Sequence, residues 1–189
     1  RGEKLVTGSA SLLRSLGDRV SFEAALVAMV EGWLAVMAGD YERAVSPLET
    51  ARRLSRDLGA KAILSVTLAG MGEVALSGGR LEEAAADYRE GLHMGWQGAF
   101  PVGMVYSLQG AVRVACRTGQ ALRSARLAGA LARYGEVMDL LPRHVAVAYE
   151  ADIAGVAEQL DDDALAAAQA QGRAMSFQDV VGEATAIGQ

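Results

Sequence analysis

Three glycines constrain this chain more than any other feature. Gly39, Gly79 and Gly119 stand 40 residues apart, and each is followed five positions later by a small residue: Ala44, Ala84 and Ser124. A fixed period of about 20–50 residues marks a repeat architecture. Glycine closes a helix in the left-handed conformation without steric cost. A small residue one turn into the next helix lets two backbones approach closely. Each period therefore reads as helix, tight turn, helix, and such a hairpin buries its apolar face by stacking on the next.

The pattern places helices at 3–16, 21–38, 41–57, 61–77, 81–94, 102–118 and 120–138. Gly17, Gly59 and Gly95 read as helix stops, Ser21 as an N-cap, and Pro101 and Pro142 as first-turn residues. Pro47 falls inside the helix beginning at Tyr41, where it is expected to be tolerated with a slight bend. The remaining segment breaks the period. Pro142 opens a helix to Leu160, Asp161–Asp163 recap the chain, a short helix follows from Ala164, and Ser176-Phe177-Gln178-Asp179 forms a Ser-x-x-Asp box for the last one. Residues 140–189 are expected to form a cap over the repeats of residues 1–139, in the same domain, with Phe177, Val180 and Val181 buried against helix 120–138.

Composition supports an all-α chain. The 189 residues suffice for one domain with a substantial core, and the apolar content is mostly Ala, Leu and Val with only 5% aromatic residues. No apolar run approaches the roughly 20 residues that span a bilayer, so no membrane role is expected. A chain opening at Arg1 without Met reads as excised from a longer one. The single Cys leaves no internal disulfide, which makes the cytoplasm the default location. A net charge of −5 argues against a nucleic-acid surface, which needs clustered Lys and Arg.

At the repeat junctions the sequence resembles the tetratricopeptide repeat. Gly32-Trp33-Leu34-Ala35-Val36-Met37-Ala38-Gly39-Asp40-Tyr41-Glu42-Arg43-Ala44 carries the resemblance, with Leu48 and Ala51 in the second helix. Gly72, Ala75, Gly79, Leu81, Ala84, Tyr88 and Gly91 form a second copy. In the third, Val112 stands where Gly is usual and Ala128 where an aromatic is usual. The resemblance implies TPR-like hairpins in a short right-handed superhelix, with the first helix of each pair lining a concave groove. The interval here exceeds the familiar 34-residue repeat.

A second resemblance covers roughly residues 20–187. Gly119-Gln120-Ala121-Leu122-Arg123-Ser124-Ala125-Arg126-Leu127-Ala128-Gly129-Ala130, then Tyr149-Glu150 and Gly172-Arg173-Ala174-Met175-Ser176, is similar to the C-terminal end of large bacterial signalling ATPases and LuxR-family ATP-binding regulators. It implies a domain that senses an inducer or partner and restrains an ATPase carried elsewhere in the polypeptide. ATP is implied for that module alone, because no Gly-x-x-x-x-Gly-Lys-[Ser/Thr] loop occurs here. No cofactor is expected on this chain.

The residues offer no catalytic or metal constellation. His93 and His144 lack partners at metal-ligand spacing. Cys116 reads as a small apolar residue, and Asp161–Asp163 read as helix caps. No enzyme is expected. Spacing gives the groove Met29, Trp33, Val36 and Met37 from the first pair, Ala69, Glu73 and Leu76 from the second, and Tyr106, Gln109 and Arg113 from the third. Met29, Trp33, Met37, Glu73, Tyr106, Gln109 and Arg113 are thus the predicted binding residues, grading from apolar to charged on one surface. Trp33 has two other readings, a core residue or a homodimer contact. The expected occupant is a protein, a peptide or a small inducer, and the alternative is a self-association module without a ligand.

Overall fold

The computed structural model describes residues 2–134 and 143–186. It is all-helical, with no strand among those residues. The helices are α1 (Gly2–Met37), α2 (Tyr41–Leu58), α3 (Lys61–Ser77), α4 (Leu81–Gln97), α5 (Pro101–Arg117), α6 (Ala121–Leu131), α7 (Arg143–Ala157), α8 (Asp162–Ala174) and α9 (Phe177–Thr185), with a 3-10 turn at Ala132–Tyr134 after α6.

The 40-residue interval appears directly in the turns. Gly39, Gly79 and Gly119 have φ of 73°, 73° and 72°. In each turn the residue after the glycine donates its amide to a carbonyl five positions back: Asp40 to Ala35, Arg80 to Ala75 and Gln120 to Ala115, all at 2.9 Å. The next helix starts at once, with Asp40 accepting from the Arg43 amide as the α2 cap. Ala44, Ala84 and Ser124 are wholly buried at the crossings that follow.

Between hairpins the same arrangement recurs. Gly59 turns with φ 63°, and Ala99, its equivalent 40 residues later, takes φ 49°. The expected stop at Gly95 is therefore displaced, and α4 runs on to Gln97. The break expected between residues 16 and 21 is absent as well. α1 is continuous through Gly17 and Ser21, because a lone glycine costs a helix only about 1 kcal/mol relative to alanine. Pro47 lies within α2 as expected, and Pro101 opens α5.

One repeated packing device joins the hairpins. Leu48 of α2 sits against Gly32 of its own hairpin and Gly70 of the next, and Tyr88 of α4 sits likewise against Gly72 and Gly110. A Cβ at Gly32 would come within 2.5 Å of Leu48, and one at Gly72 within 2.5 Å of Tyr88. These side chains fill holes that only glycine leaves open. In the third hairpin the sizes are exchanged, with buried Val112 at the glycine position and buried Ala128 at the large one.

The C-terminal helices cover the third hairpin by a route the sequence reading did not anticipate. α8, more than α9, lies along α6, with Gly129 and Gly172 facing backbone of the opposite helix so closely that a Cβ on either would overlap it. α9 touches α4 as well as α6, burying Val180 while Phe177 and Val181 are half-buried. Its Ser176–Asp179 capping box is fully formed, and Asp161 caps α8. Pro142 and the expected boundary at residues 139–140 lie outside the described residues.

α1 corrects a further expectation. Its Leu16–Met37 stretch, 22 residues, is long and apolar enough to cross a membrane by length and composition. Here the face bearing Ala25, Ala28, Trp33 and Val36 is buried against α2 and α3.

Candidate functional site

The seven predicted residues divide into two groups. Met29, Trp33, Met37 and Tyr106 line one cleft between α1, α3 and α5, together with Val30, Leu34, Val66, Phe100 and Val102. Its volume is 280 Å³. Trp33 and Tyr106 form its floor, with ring centroids 4.9 Å apart and planes tilted by 41°. The indole is 9% exposed, and its Nε1–H donates to the Val66 carbonyl at 2.9 Å. Trp33 is therefore at once a core residue and the cleft's inner wall. Burial raises the Tyr106 phenol above its ordinary value, so it stays protonated at neutral pH.

Glu73, Gln109 and Arg113 do not reach this cleft. They are 3%, 1% and 5% exposed, so the expected single surface grading from apolar to charged is not formed. Val36, Ala69 and Leu76, also assigned to the groove, are core residues. Trp33, Glu73 and Arg113 do occupy matching positions of α1, α3 and α5, but that position points inward, and the two charged members meet each other there. Arg113 Nη1 donates to both Glu73 oxygens at 2.8 Å. The Tyr88 hydroxyl donates to Glu73 Oε1 at 2.8 Å, and Arg113 Nε donates to Asp152 of α7 at 3.1 Å. Arg117 bridges to the other Asp152 oxygen at 3.3 Å and to the Leu76 carbonyl at 3.3 Å.

Such a network is the condition under which charges can be buried at all, since an isolated ion in an apolar interior is very costly. Burial works against the Arg113 charge, but the Glu73 carboxylate beside it outweighs this and holds the guanidinium above its ordinary pKa. Burial, and then Glu73, push the Tyr88 phenol well up. Arg113 is thereby committed to internal carboxylates, and a ligand carboxylate would have to displace one of them.

The cleft's remaining walls went unpredicted. Phe100 stands at the N-cap of α5, and Val66 sits one turn before the predicted Ala69. Val30 and Leu34 belong to an exposed apolar stripe that runs along α1 through Phe22, Leu26 and Val27. That stripe was legible as apolar residues recurring at three- and four-residue spacing. Only its lack of a covering helix needed the structure.

Chemically the cleft offers shape and apolar surface. Among its lining residues the titratable side chain is Tyr106, and the Trp33 N–H is already spent. Elsewhere, burial pushes the Cys116 thiol up to about 11, which removes the thiolate a nucleophile needs. Comparison with protein-family models, with curated proteins and with solved structures returned no match, so the cleft stands on its own geometry.

Proposed function

We propose that this chain is a non-enzymatic interaction domain that takes the apolar face of an amphipathic partner helix into the α1–α3–α5 cleft. The carrying observation is that this 280 Å³ cleft, lined by Trp33, Tyr106, Phe100 and aliphatic side chains, opens onto the exposed stripe of α1. Its lining is apolar apart from the Tyr106 hydroxyl, which suits the anchoring side chains of an amphipathic helix. A helix laid along α1 would continue from those anchors onto Val30, Leu26 and Phe22, the helix-in-groove mode of recognition.

The wider setting rests on resemblance. On the residues that carry the resemblance, the hairpins would be tetratricopeptide-like and stack in a short superhelix, within a cytoplasmic bacterial ATP-dependent transcriptional regulator. The partner helix would then belong to another domain of the same polypeptide or to a separate protein, and ATP to the ATPase module.

A model helix with Leu at i, i+4, i+7 and i+11 and Lys elsewhere provides the test. It should bind more tightly than its scrambled isomer, and Leu34→Glu or Met37→Glu should weaken it by about tenfold or more, the effect of removing an anchor. Equal binding of the scrambled peptide, or indifference to both substitutions, would refute the reading.

One observation favours a second reading, self-association. Leu16, Val20, Val27, Val30, Leu34 and Met37 follow heptad spacing along the exposed side of α1, interrupted at Glu23. A dimer dissociating on dilution, and lost in Val27→Glu, would establish it.

A further inference from the structure

We propose that the chain holds a second ligand site, separate from the α1 cleft, for a small amphiphilic carboxylate. Its apolar body would lie among α4, α5, α6 and α9, and its carboxylate would meet Arg133.

A cavity of 290 Å³ lies between these helices. That is about twice the roughly 150 Å³ of an apolar protein cavity known to take up benzene, so it has room for a ring bearing a short chain. Leu92, Val105, Leu108 and Val180 form buried walls. Val105 and Leu108 project from a different face of α5 than Val102 and Tyr106 of the first cleft, so the two spaces are lined by different residues. At the side of the cavity the Trp96 indole stacks on Phe177, with centroids 4.1 Å apart and planes 15° from parallel, although Trp96 is 54% exposed. An aromatic pair gives a ligand ring a flat apolar partner with few rotamers to lose.

Arg133 supplies the polar element. Its side chain lines the cavity and is exposed, and its Nη1 donates to the Met175 carbonyl at 3.0 Å. That bond anchors the guanidinium and leaves donors of its planar fork for a carboxylate. Among the described residues no carboxylate forms an ion pair with Arg133, in contrast to Arg113, Arg117, Arg123 and Arg126. The Asp179 carboxylate of α9 forms the capping box instead, accepting from the Ser176 amide and hydroxyl. An enclosed apolar space with one oriented cation at its rim selects a molecule that is apolar at one end and anionic at the other.

Calorimetric titration of the folded chain with 4-phenylbutyrate, and with 4-phenylbutan-1-ol as its uncharged counterpart, tests the site. The acid should bind at one equivalent and the alcohol about tenfold or more weaker, as expected for loss of a charge-assisted pair. Arg133→Gln should remove that preference by weakening the acid alone. Val180→Phe should fill the cavity and abolish both, with Leu108→Phe testing the opposite wall if Val180→Phe does not fold. Leu34→Glu, in the α1 cleft, should leave the acid's affinity unchanged. Absence of saturable binding at millimolar acid, equal affinity for acid and alcohol, or loss of the acid in Leu34→Glu would each overturn the proposal. The last result would instead move the ligand to the first cleft.

Discussion

The two ends of the hairpin row are finished differently. At the C-terminal end α6 lies beneath α8, with Gly129 and Gly172 admitting backbone against backbone, and α7 adds Asp152 to the buried Glu73–Arg113 pair. At the other end α1 presents Val27, Val30 and Leu34 to solvent. These positions match Thr67, Gly70 and Val74 of α3, where Gly70 makes room for Leu48. The difference teaches how this chain marks a covered face. Where another helix sits on it, glycine provides a hole. Between Val27 and Leu34 the free face of α1 carries no such hole, and its exposed side chains flank the cleft instead.

The sharpest attack on this contrast is at the closed end. Arg113→Leu leaves Glu73 buried without its cation and should cost about 3–5 kcal/mol, read from urea denaturation. Adding Glu73→Leu should recover part of that loss, since no lone buried charge then remains between α3 and α5. A single-variant cost below about 1 kcal/mol would mean that the pair is hydrated.

A somewhat smaller effect is expected where α8 meets α6. Gly172→Val places a branched side chain against the backbone around Arg126 and should destabilise by about 2–3 kcal/mol, seen as a lower midpoint of thermal unfolding. A change typical of surface positions, about 0.5 kcal/mol, would show that the two helices do not touch there.

The smallest effect belongs to α1. Leu34→Gln should shift stability by no more than about 0.5 kcal/mol, because its side chain is already 58% exposed. A loss above about 1.5 kcal/mol in the isolated chain would mean that something already covers this face, and the contrast between the two ends would collapse.

The turns were the most legible part of the sequence. Gly39, Gly79 and Gly119 announce a backbone conformation that other residues adopt at a cost, and Ser176 with Asp179 announces a capping box, so both could be read without tertiary knowledge. Gly17 and Gly95 misled because glycine is only a weak helix breaker. At Gly95 the absence of a side chain permits close packing against Ser65 and Met104, and the actual turn falls at Ala99. The candidate site was half legible. Spacing assigned Trp33, Met29 and Met37 to one helix face, and they do share a cleft. It also assigned Glu73 and Arg113 to the groove, where they are not, because spacing alone does not separate groove from interior. That depends on Tyr88 and Asp152, partners 15 and 39 residues away along the chain. Asp152 moreover sits on α7, outside the repeat interval, where periodicity carries no information.

The two tryptophans, one in each cavity wall, give the molecule a pair of optical channels. Trp33 is enclosed and hydrogen-bonded through its N–H, so its emission should lie to the blue and resist acrylamide. Trp96, half open and stacked on Phe177, should emit further to the red and quench readily. Occupation of the α1 cleft would be seen chiefly in the blue component, and a molecule entering beside Arg133 chiefly in the red. The native chain would thus distinguish the two proposed binding events by colour, with no label attached.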